Sequence, residues 1–219
     1  MSLKKKLVAV GLVVCLAATA IGGATLAYFT DAKDASNTFT VGNVAITLDE
    51  ATVTKNEENN TWAANAERTE EGEGVTYTDI YPGAYLPKDP TITNVGTYDA
   101  YVRMVVTVSS ADAWKAACAN HGITDLGTIF SGYVEADWSR AGEPTEADGK
   151  ITYIYEYEQK LVPEATATLF TGVNIPNDFT SQEMGAIGSF TIDIRAEAIQ
   201  ADGFASAEDA FAALDVQGA

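Results

Sequence analysis

The sequence predicts an all-β fold, an antiparallel β-sandwich with short helical insertions and a C-terminal helix. Stretches of alternating apolar and polar residues recur along the chain, turn residues separate them, and only two short stretches have a helical pattern. Alternation with a period of two is typical of strands that bury one face in a core and leave the other in water. Many such strands, with helices only as insertions, favour a sandwich over an α/β fold.

The clearest strand covers Phe190–Ala198. Its apolar residues are Phe190, Ile192, Ile194, Ala196 and Ala198, and they alternate with Thr191, Asp193, Arg195 and Glu197. Residues 44–49, 100–110 and 151–159 alternate in the same way, and shorter candidates are Thr91–Asn94, Thr128–Val134 and Thr166–Val173. Turn residues lie between these stretches, as in YPGAY, NVGTYD and IPNDF, and favour sharp connections between strands.

Two stretches predict helices. Asp112–Asn120 begins with an acidic residue and continues with good helix formers. The C-terminal stretch SAEDAFAAL has Ser206 in the N-cap position and Asp209 three residues later, and its apolar residues Phe211 and Leu214 share one face.

One long polar segment interrupts the predicted strands. Residues 56–74 are rich in Asn, Glu and Gly, and we expect them to form a mobile acidic loop. Trp62 is the exception within this segment, and we expect its ring to plug onto the sandwich.

The N-terminus has the pattern of a signal peptide, which we assign to residues 1–27. Three lysines, at positions 4–6, precede an uncharged apolar run from Leu7 to Ile21. Small residues then place Thr25 and Ala27 at the −3 and −1 positions of a cleavage site, which makes Tyr28 the first residue of the mature chain. The alternative is an uncleaved membrane anchor, since the uncharged stretch continues to Thr30. The small residues favour cleavage and release.

The net charge of the mature chain limits the kinds of partner that it can bind. Residues 1–27 contain three lysines and no acidic residue, so the mature chain keeps 10 basic and 31 acidic residues and a net charge of −21. Phosphate backbones and anionic lipid headgroups repel such a chain, so we expect no nucleic-acid partner and no stable membrane insertion after cleavage. The plain interpretation of these acids is a solvated surface.

The mature chain has one cysteine, Cys118, because Cys15 lies in the signal peptide. An internal disulfide is therefore excluded, and Cys118 is expected to be a small buried residue within an apolar helix. We divide the mature chain into an N-terminal arm, residues 28–42, and a single β-sandwich domain, residues 43–219.

Residues that usually carry catalysis are scarce. A zinc protease with an HExxH motif needs two histidines, but the chain has only His121, which is a weak candidate metal ligand. The chain has no GxSxG motif, and none of its many acids stands out as a catalytic pair. Oxygen-rich loops at Asn177-Asp178 and at residues 146–149 leave calcium open, although neither has EF-hand spacing. We therefore predict no catalytic residues and no required cofactor, with calcium or zinc left open.

Several stretches together resemble one family. They are TLAYFTD followed by NTFTVGNVAITLDE, then YPGAYLPKDPTITNVGTYDAYVRMVV, LVPEATATLFTGVNIP and IDIRAEAIQADGF. The chain resembles the TasA/camelysin (CalY) proteins of Gram-positive bacteria over most of residues 24–214. The resemblance implies a jelly-roll-like sandwich and export with a signal peptide that the dedicated signal peptidase SipW removes. It also implies polymerisation into extracellular biofilm fibres, in which the mature N-terminal segment adds as a strand to the neighbouring subunit.

In this chain the donated strand would come from the arm, whose apolar residues are Tyr28, Phe29, Phe39 and Val41. Such an arm can pair with an exposed sheet edge of another copy. The alternative is that the arm belongs to the subunit's own sandwich, and we assign Asn43–Leu48 to that sandwich.

Three functions follow as hypotheses. The leading one is a secreted structural subunit of a matrix or cell-surface fibre, whose partners are other copies of itself and a SipW-type signal peptidase. The second is a secreted metallo-endopeptidase, since camelysin relatives are classed as such, although no ligand motif supports it. The third is a monomeric surface-binding module.

Overall fold

The computed structural model describes residues 30–32 and 43–217. In chain order the strands are β1 Thr30–Ala32, β2 Ile46–Asp49, β3 Ala51–Asn56, β4 Thr61–Arg68, β5 Tyr85–Pro87, β6 Thr91–Asn94, β7 Ala100–Val108, β8 Phe130–Ser131, β9 Trp138–Arg140, β10 Thr145–Ala147, β11 Lys150–Tyr157, β12 Thr166–Thr168, β13 Gly172–Asn174 and β14 Ile192–Gln200. The helices are α1 Ala111–Asn120, α2 Ser181–Ile187 and α3 Ala207–Gln217, with a 3-10 turn at Leu126–Ile129.

The larger sheet has six strands, in the order β1-β14-β7-β11-β10, with β9 also pairing with β11, and all pairs are antiparallel. Strand β7 is central, and its Met104 lies between Tyr155 of β11 and Ala196 of β14. The face that contains Met104 turns toward the core. The opposite face, which contains Tyr101, Arg103, Val105 and Thr107 of β7, is called the outer face below.

A second layer covers the inner face. It consists of the three-stranded sheets β12-β6-β2 and β5-β13-β8. Two backbone hydrogen bonds join these sheets, from Lys88 N to the oxygen of Thr171 at 3.2 Å and from Leu169 N to the oxygen of Pro90 at 3.1 Å. The two short sheets therefore form one kinked layer.

The core lies between the two layers. Val102, Met104 and Val106 of the larger sheet and Ile92 and Leu169 of the second layer belong to one hydrophobic cluster, and all five are fully buried. Trp114 of α1 joins the same cluster and packs edge-on against Phe190, with ring centroids 5.0 Å apart. The predicted all-β, sandwich-like fold is confirmed.

The expected loop at residues 56–74 is wrong for its first half. Strands β3 and β4 form an antiparallel hairpin, and Asn60 in its turn has a φ of 52°. Trp62 of β4 is buried and packs against the rings of Tyr77 and Tyr81, as its expected role as a plug requires. The other side chains of β4 are mostly exposed and polar, so the strand has no apolar alternation that a sequence pattern could show.

The predicted helices are confirmed as α1 and α3. Cys118 is buried in α1, and Ser206 accepts a hydrogen bond from Asp209 N at 3.1 Å at the start of α3. Helix α2 was not predicted, and the expected strand at residues 128–134 shortens to β8 behind the 3-10 turn. No helix within residues 43–217 is long and apolar enough to cross a membrane.

Candidate strand-pairing edge

Strand β14 has one fully paired side and one partly paired side. It pairs with β7 along its whole length, from Ile192 to Gln200. On the other side only Glu197–Ile199 are paired, and their partner is β1, with Thr30 opposite Ile199 and Ala32 opposite Glu197. In the part of the chain that the structure describes, no strand forms a ladder with residues 192–196 on this side, and β2 lies near them without pairing. Residues of the predicted arm therefore occupy part of a sheet edge of their own subunit.

The backbone of the open part of β14 is oriented to accept another strand. Ser109 N donates to the oxygen of Thr191 at 3.0 Å and Ala201 N donates to the oxygen of Asp99 at 2.9 Å, so the odd-numbered residues of this strand bond toward β7. In an antiparallel ladder the intervening residues direct their N–H and C=O groups to the opposite side. Ile192, Ile194 and Ala196 thus present backbone donors and acceptors along the open edge.

A cleft of about 220 Å³ runs beside this open edge. Its apolar lining comes from Leu48, Pro90, Ile192 and Ile194, and the loop at residues 72–74 closes one side. A strand that paired with β14 here would place alternate side chains against this apolar surface, because strand side chains point to opposite faces in turn.

A compensated ion pair lies in the wall of the cleft. Lys88 Nζ is 2.8 Å from one oxygen of Glu50 and 3.0 Å from the other, and the two side chains are only 10% and 9% exposed. Asp49, Glu73 and Asp193 also line the cleft, and Asp49 is paired with Arg68. The cleft therefore has an apolar surface between acidic rims.

All of the predicted cleavage and arm site residues lie outside the described part of the chain. These are the cleavage residues Ala27 and Tyr28 and the apolar arm residues Tyr28, Phe29, Phe39 and Val41. The prediction that Asn43–Leu48 belongs to the subunit's own sandwich is confirmed by β2, which pairs with β6. The arm segment Thr30–Ala32 has no apolar alternation, so its pairing with β14 had no signal in the sequence.

The candidate metal ligand His121 is engaged in a structural contact. Its Nε2 lies 3.1 Å from one oxygen of Glu183 and 3.2 Å from the other, and its ring packs against Phe179. Glu183 also accepts hydrogen bonds from Thr180 N at 2.7 Å and from Asn120 Nδ2 at 2.9 Å. These donors, the Thr180 amide first, lower the pKa of Glu183 to about 2. The contact joins the end of α1 to the start of α2.

The described residues contain no cluster of the side chains that usually ligate zinc. Within residues 43–217 there is no group of three or more His, Cys, Asp or Glu side chains that could hold a metal ion. Burial raises the pKa of Cys118, which disfavours the thiolate that a metal requires. In the acidic loop considered for calcium, Glu146 is paired with Lys115 at 2.6 Å, and Asp148 and Gly149 form the turn between β10 and β11.

A family model described as Camelysin metallo-endopeptidase matches residues 2–131, more than half of the 219-residue chain. The matched range contains β1 and β7 but not β14, against which both of them pair. No curated protein and no solved structure matches the chain.

Proposed function

The chain belongs to the camelysin metallo-endopeptidase family, and we propose that it is a secreted structural subunit of an extracellular fibre that polymerises by N-terminal strand donation. A SipW-type signal peptidase would release it by cutting after Ala27. The observation that carries the proposal is the edge of β14, which pairs with Thr30–Ala32 and, among the described residues, has no partner strand from Ile192 to Ala196.

Chain length limits how far an arm can pair with its own subunit. If the register of β1 continued along β14, residue 37 would lie opposite Ile192. The chain would then have to return to Asn43, which accepts a hydrogen bond from Thr97 N at the end of the sandwich where β14 finishes. Six further residues span at most about 20 Å, whereas the length of β14 is about 27 Å. Full pairing within one subunit is therefore disfavoured.

An arm from another copy has no such connection to the acceptor. It can pair with the whole of β14 and place apolar side chains over the cleft beside Ile192 and Ile194. Because the arm and the edge lie at different sites of each copy, the contact is head-to-tail, and it generates a filament when each copy passes its arm to a new neighbour instead of exchanging arms with one partner. The short pairing of Thr30–Ala32 is then the contact that a neighbour's arm replaces.

The described residues give no support to the alternative function, a metallo-endopeptidase. The family description names a metallo-endopeptidase, but the only histidine is held by Glu183 and has no further ligating side chains around it in residues 43–217. We therefore derive no hydrolytic step for this chain.

A reversible disulfide between β1 and β14 tests the proposal. In the mature chain starting at Tyr28, Thr30→Cys and Ile199→Cys place two cysteines at directly opposed positions of β1 and β14. Oxidation should hold the arm on its own subunit and abolish fibres in electron micrographs, and reduction should restore them. The reduced double variant is the matched control for folding. Fibre growth at the wild-type rate in the oxidised protein would show that this edge does not exchange arms.

A further inference from the structure

Three charged residues form a row across the outer face of the larger sheet. Arg103 of β7 lies opposite Glu156 of β11 on one side and opposite Glu197 of β14 on the other. All three side chains are buried, at 6%, 9% and 4% exposure, although they point away from the core between the layers. The cover is α3, which lies against β7, β11 and β14.

All three nitrogens of the Arg103 guanidinium donate hydrogen bonds to carboxylates. Its Nε donates to Glu197 at 2.5 Å, and its two terminal nitrogens donate to the Asp215 carboxylate of α3 at 3.0 and 2.5 Å. Its flat face lies 4.6 Å from the ring centre of Phe211, also in α3. Arg103 is thus the main polar attachment of the helix to the sheet.

Glu156 is left without such a partner. None of the described residues donates a hydrogen bond to its carboxylate or forms an ion pair with it. Burial raises the pKa of Glu156, and the negative charges of Glu208, Asp215 and Glu158 raise it further against the opposing effect of Arg103.

Four charged residues act on Glu156. Strand β7 contributes Arg103, the bend after β11 contributes Glu158, and α3 contributes Glu208 and Asp215. Strand β9 places the uncharged Ser139 opposite Glu156, and Glu197 and Arg195 of β14 lie on the far side of β7. Most of these charges are negative. In addition, α3 has no basic residue in its last turn that could offset the negative end of its helix dipole near Asp215. Docking of α3 at neutral pH therefore brings its own carboxylates toward a buried carboxylate.

We propose that α3 is an acid-tightened latch, in which uptake of a proton by Glu156 strengthens the docking of the helix on the outer face. A group whose pKa is raised by docking favours the docked state at low pH and loses that contribution as pH rises through the raised value. Asp215 works in the opposite sense, because Arg103 holds its pKa below the usual range, so its bond to Arg103 persists under mild acid. Docking is therefore strongest in a mildly acidic window.

Amide hydrogen exchange tests the latch in the full mature chain. Protection of residues 207–217, corrected for intrinsic exchange rates, should rise as the pH falls from neutral toward the ordinary carboxyl pKa, roughly tenfold for each unit by which docking raises the pKa of Glu156. Glu156→Gln imitates the protonated side chain, so its protection should be high and should not change with pH. Glu143→Gln, in the exposed bend before β10 and outside the groups that act on Glu156, is the matched control and should behave like the wild type.

A pH-dependent rise that persists in Glu156→Gln would overturn the latch, as would a wild type without any rise. A second measurement does not depend on that variant folding. In carbon-13 spectra of the wild type, the carboxyl of Glu156 should titrate above the ordinary glutamate pKa, and Phe211→Ala, which weakens docking, should move its midpoint downward. An unchanged midpoint in Phe211→Ala would equally contradict the proposal.

Discussion

Both faces of β7 are buried in the first half of the strand, but by different means. On the inner face Val102, Met104 and Val106 are fully buried against the second layer. On the outer face Tyr101 and Arg103 are buried because α3, some hundred positions later in the chain, lies over them. The comparison shows that alternation identifies which side chains share a face, but not whether the more polar face reaches water.

Burial has a different energetic meaning on the two faces. The inner face gains free energy from the removal of apolar surface from water. The outer face removes charges from water, which costs free energy that Arg103 and its carboxylate partners offset only while every partner is present. We therefore expect the outer face to be the more sensitive to the loss of a single side chain.

Removal of Arg103 should have the largest effect. Arg103→Met keeps an aliphatic side chain but removes the guanidinium that lies over Phe211, and it leaves the buried Glu197 without its main cation. Loss of one member of a buried pair costs about 3–5 kcal/mol, and urea denaturation should show this loss of unfolding free energy. Arg195→Met, which removes the half-exposed second partner of Glu197, should cost less than about 1 kcal/mol. Equal effects of the two variants would mean that the outer face is solvated.

Truncation on the inner face should have the next largest effect. Met104→Ala creates a cavity between the layers and should lower the unfolding free energy by about 2–5 kcal/mol. Thr107→Ala removes an outer-face hydroxyl that lies 3.2 Å from Thr152 beyond the cover of α3, and it should cost about 1 kcal/mol or less. A larger loss in Thr107→Ala than in Met104→Ala would reverse the assignment of the two faces.

The sequence predicts the strands in which apolar and polar residues alternate. The alternation in residues 190–198 correctly separated Ala196 and Ala198, which are buried inside, from Thr191 and Asp193, which are exposed outside. The same alternation wrongly placed Glu197 in water. Glu197 is buried because it pairs with Arg103 and because α3, which is distant in sequence, covers this face in the folded chain. Strand β4 was missed for the converse reason, since its side chains are largely polar and only Trp62 is buried.

The candidate edge was less accessible to sequence reasoning. The family resemblance pointed to a donated arm, but the register of Thr30–Ala32 against β14 depends on backbone groups, which have no residue signature. His121 shows the same limit. Its carboxylate partner lies 62 positions later, and the capping box of Thr180 and Glu183 that holds this partner was not recognised as a helix start.

The last prediction extends the comparison to two carboxylates with opposite environments. Glu156 is buried without donors and has a raised pKa, whereas Glu183 receives donors from Thr180, Asn120 and His121 and has a pKa near 2. A lowered pKa stabilises the fold above the ordinary carboxyl value, and this contribution disappears as pH falls toward the folded value. The Glu183 contribution should therefore be lost between about pH 4.5 and about pH 2.

Glu183→Gln isolates this contribution. The amide oxygen can still accept the Thr180 hydrogen bond, as glutamine does in other capping boxes, so the variant should fold and lose little stability near neutral pH. Its urea midpoint should fall less steeply than that of the wild type as pH drops below the ordinary carboxyl value. Glu146→Gln, whose side chain is half-exposed beside Lys115, is the matched control and should keep the wild-type slope. If Glu183→Gln also kept that slope, the donors around Glu183 would contribute nothing to acid stability, and the contact with His121 would serve only to position α2.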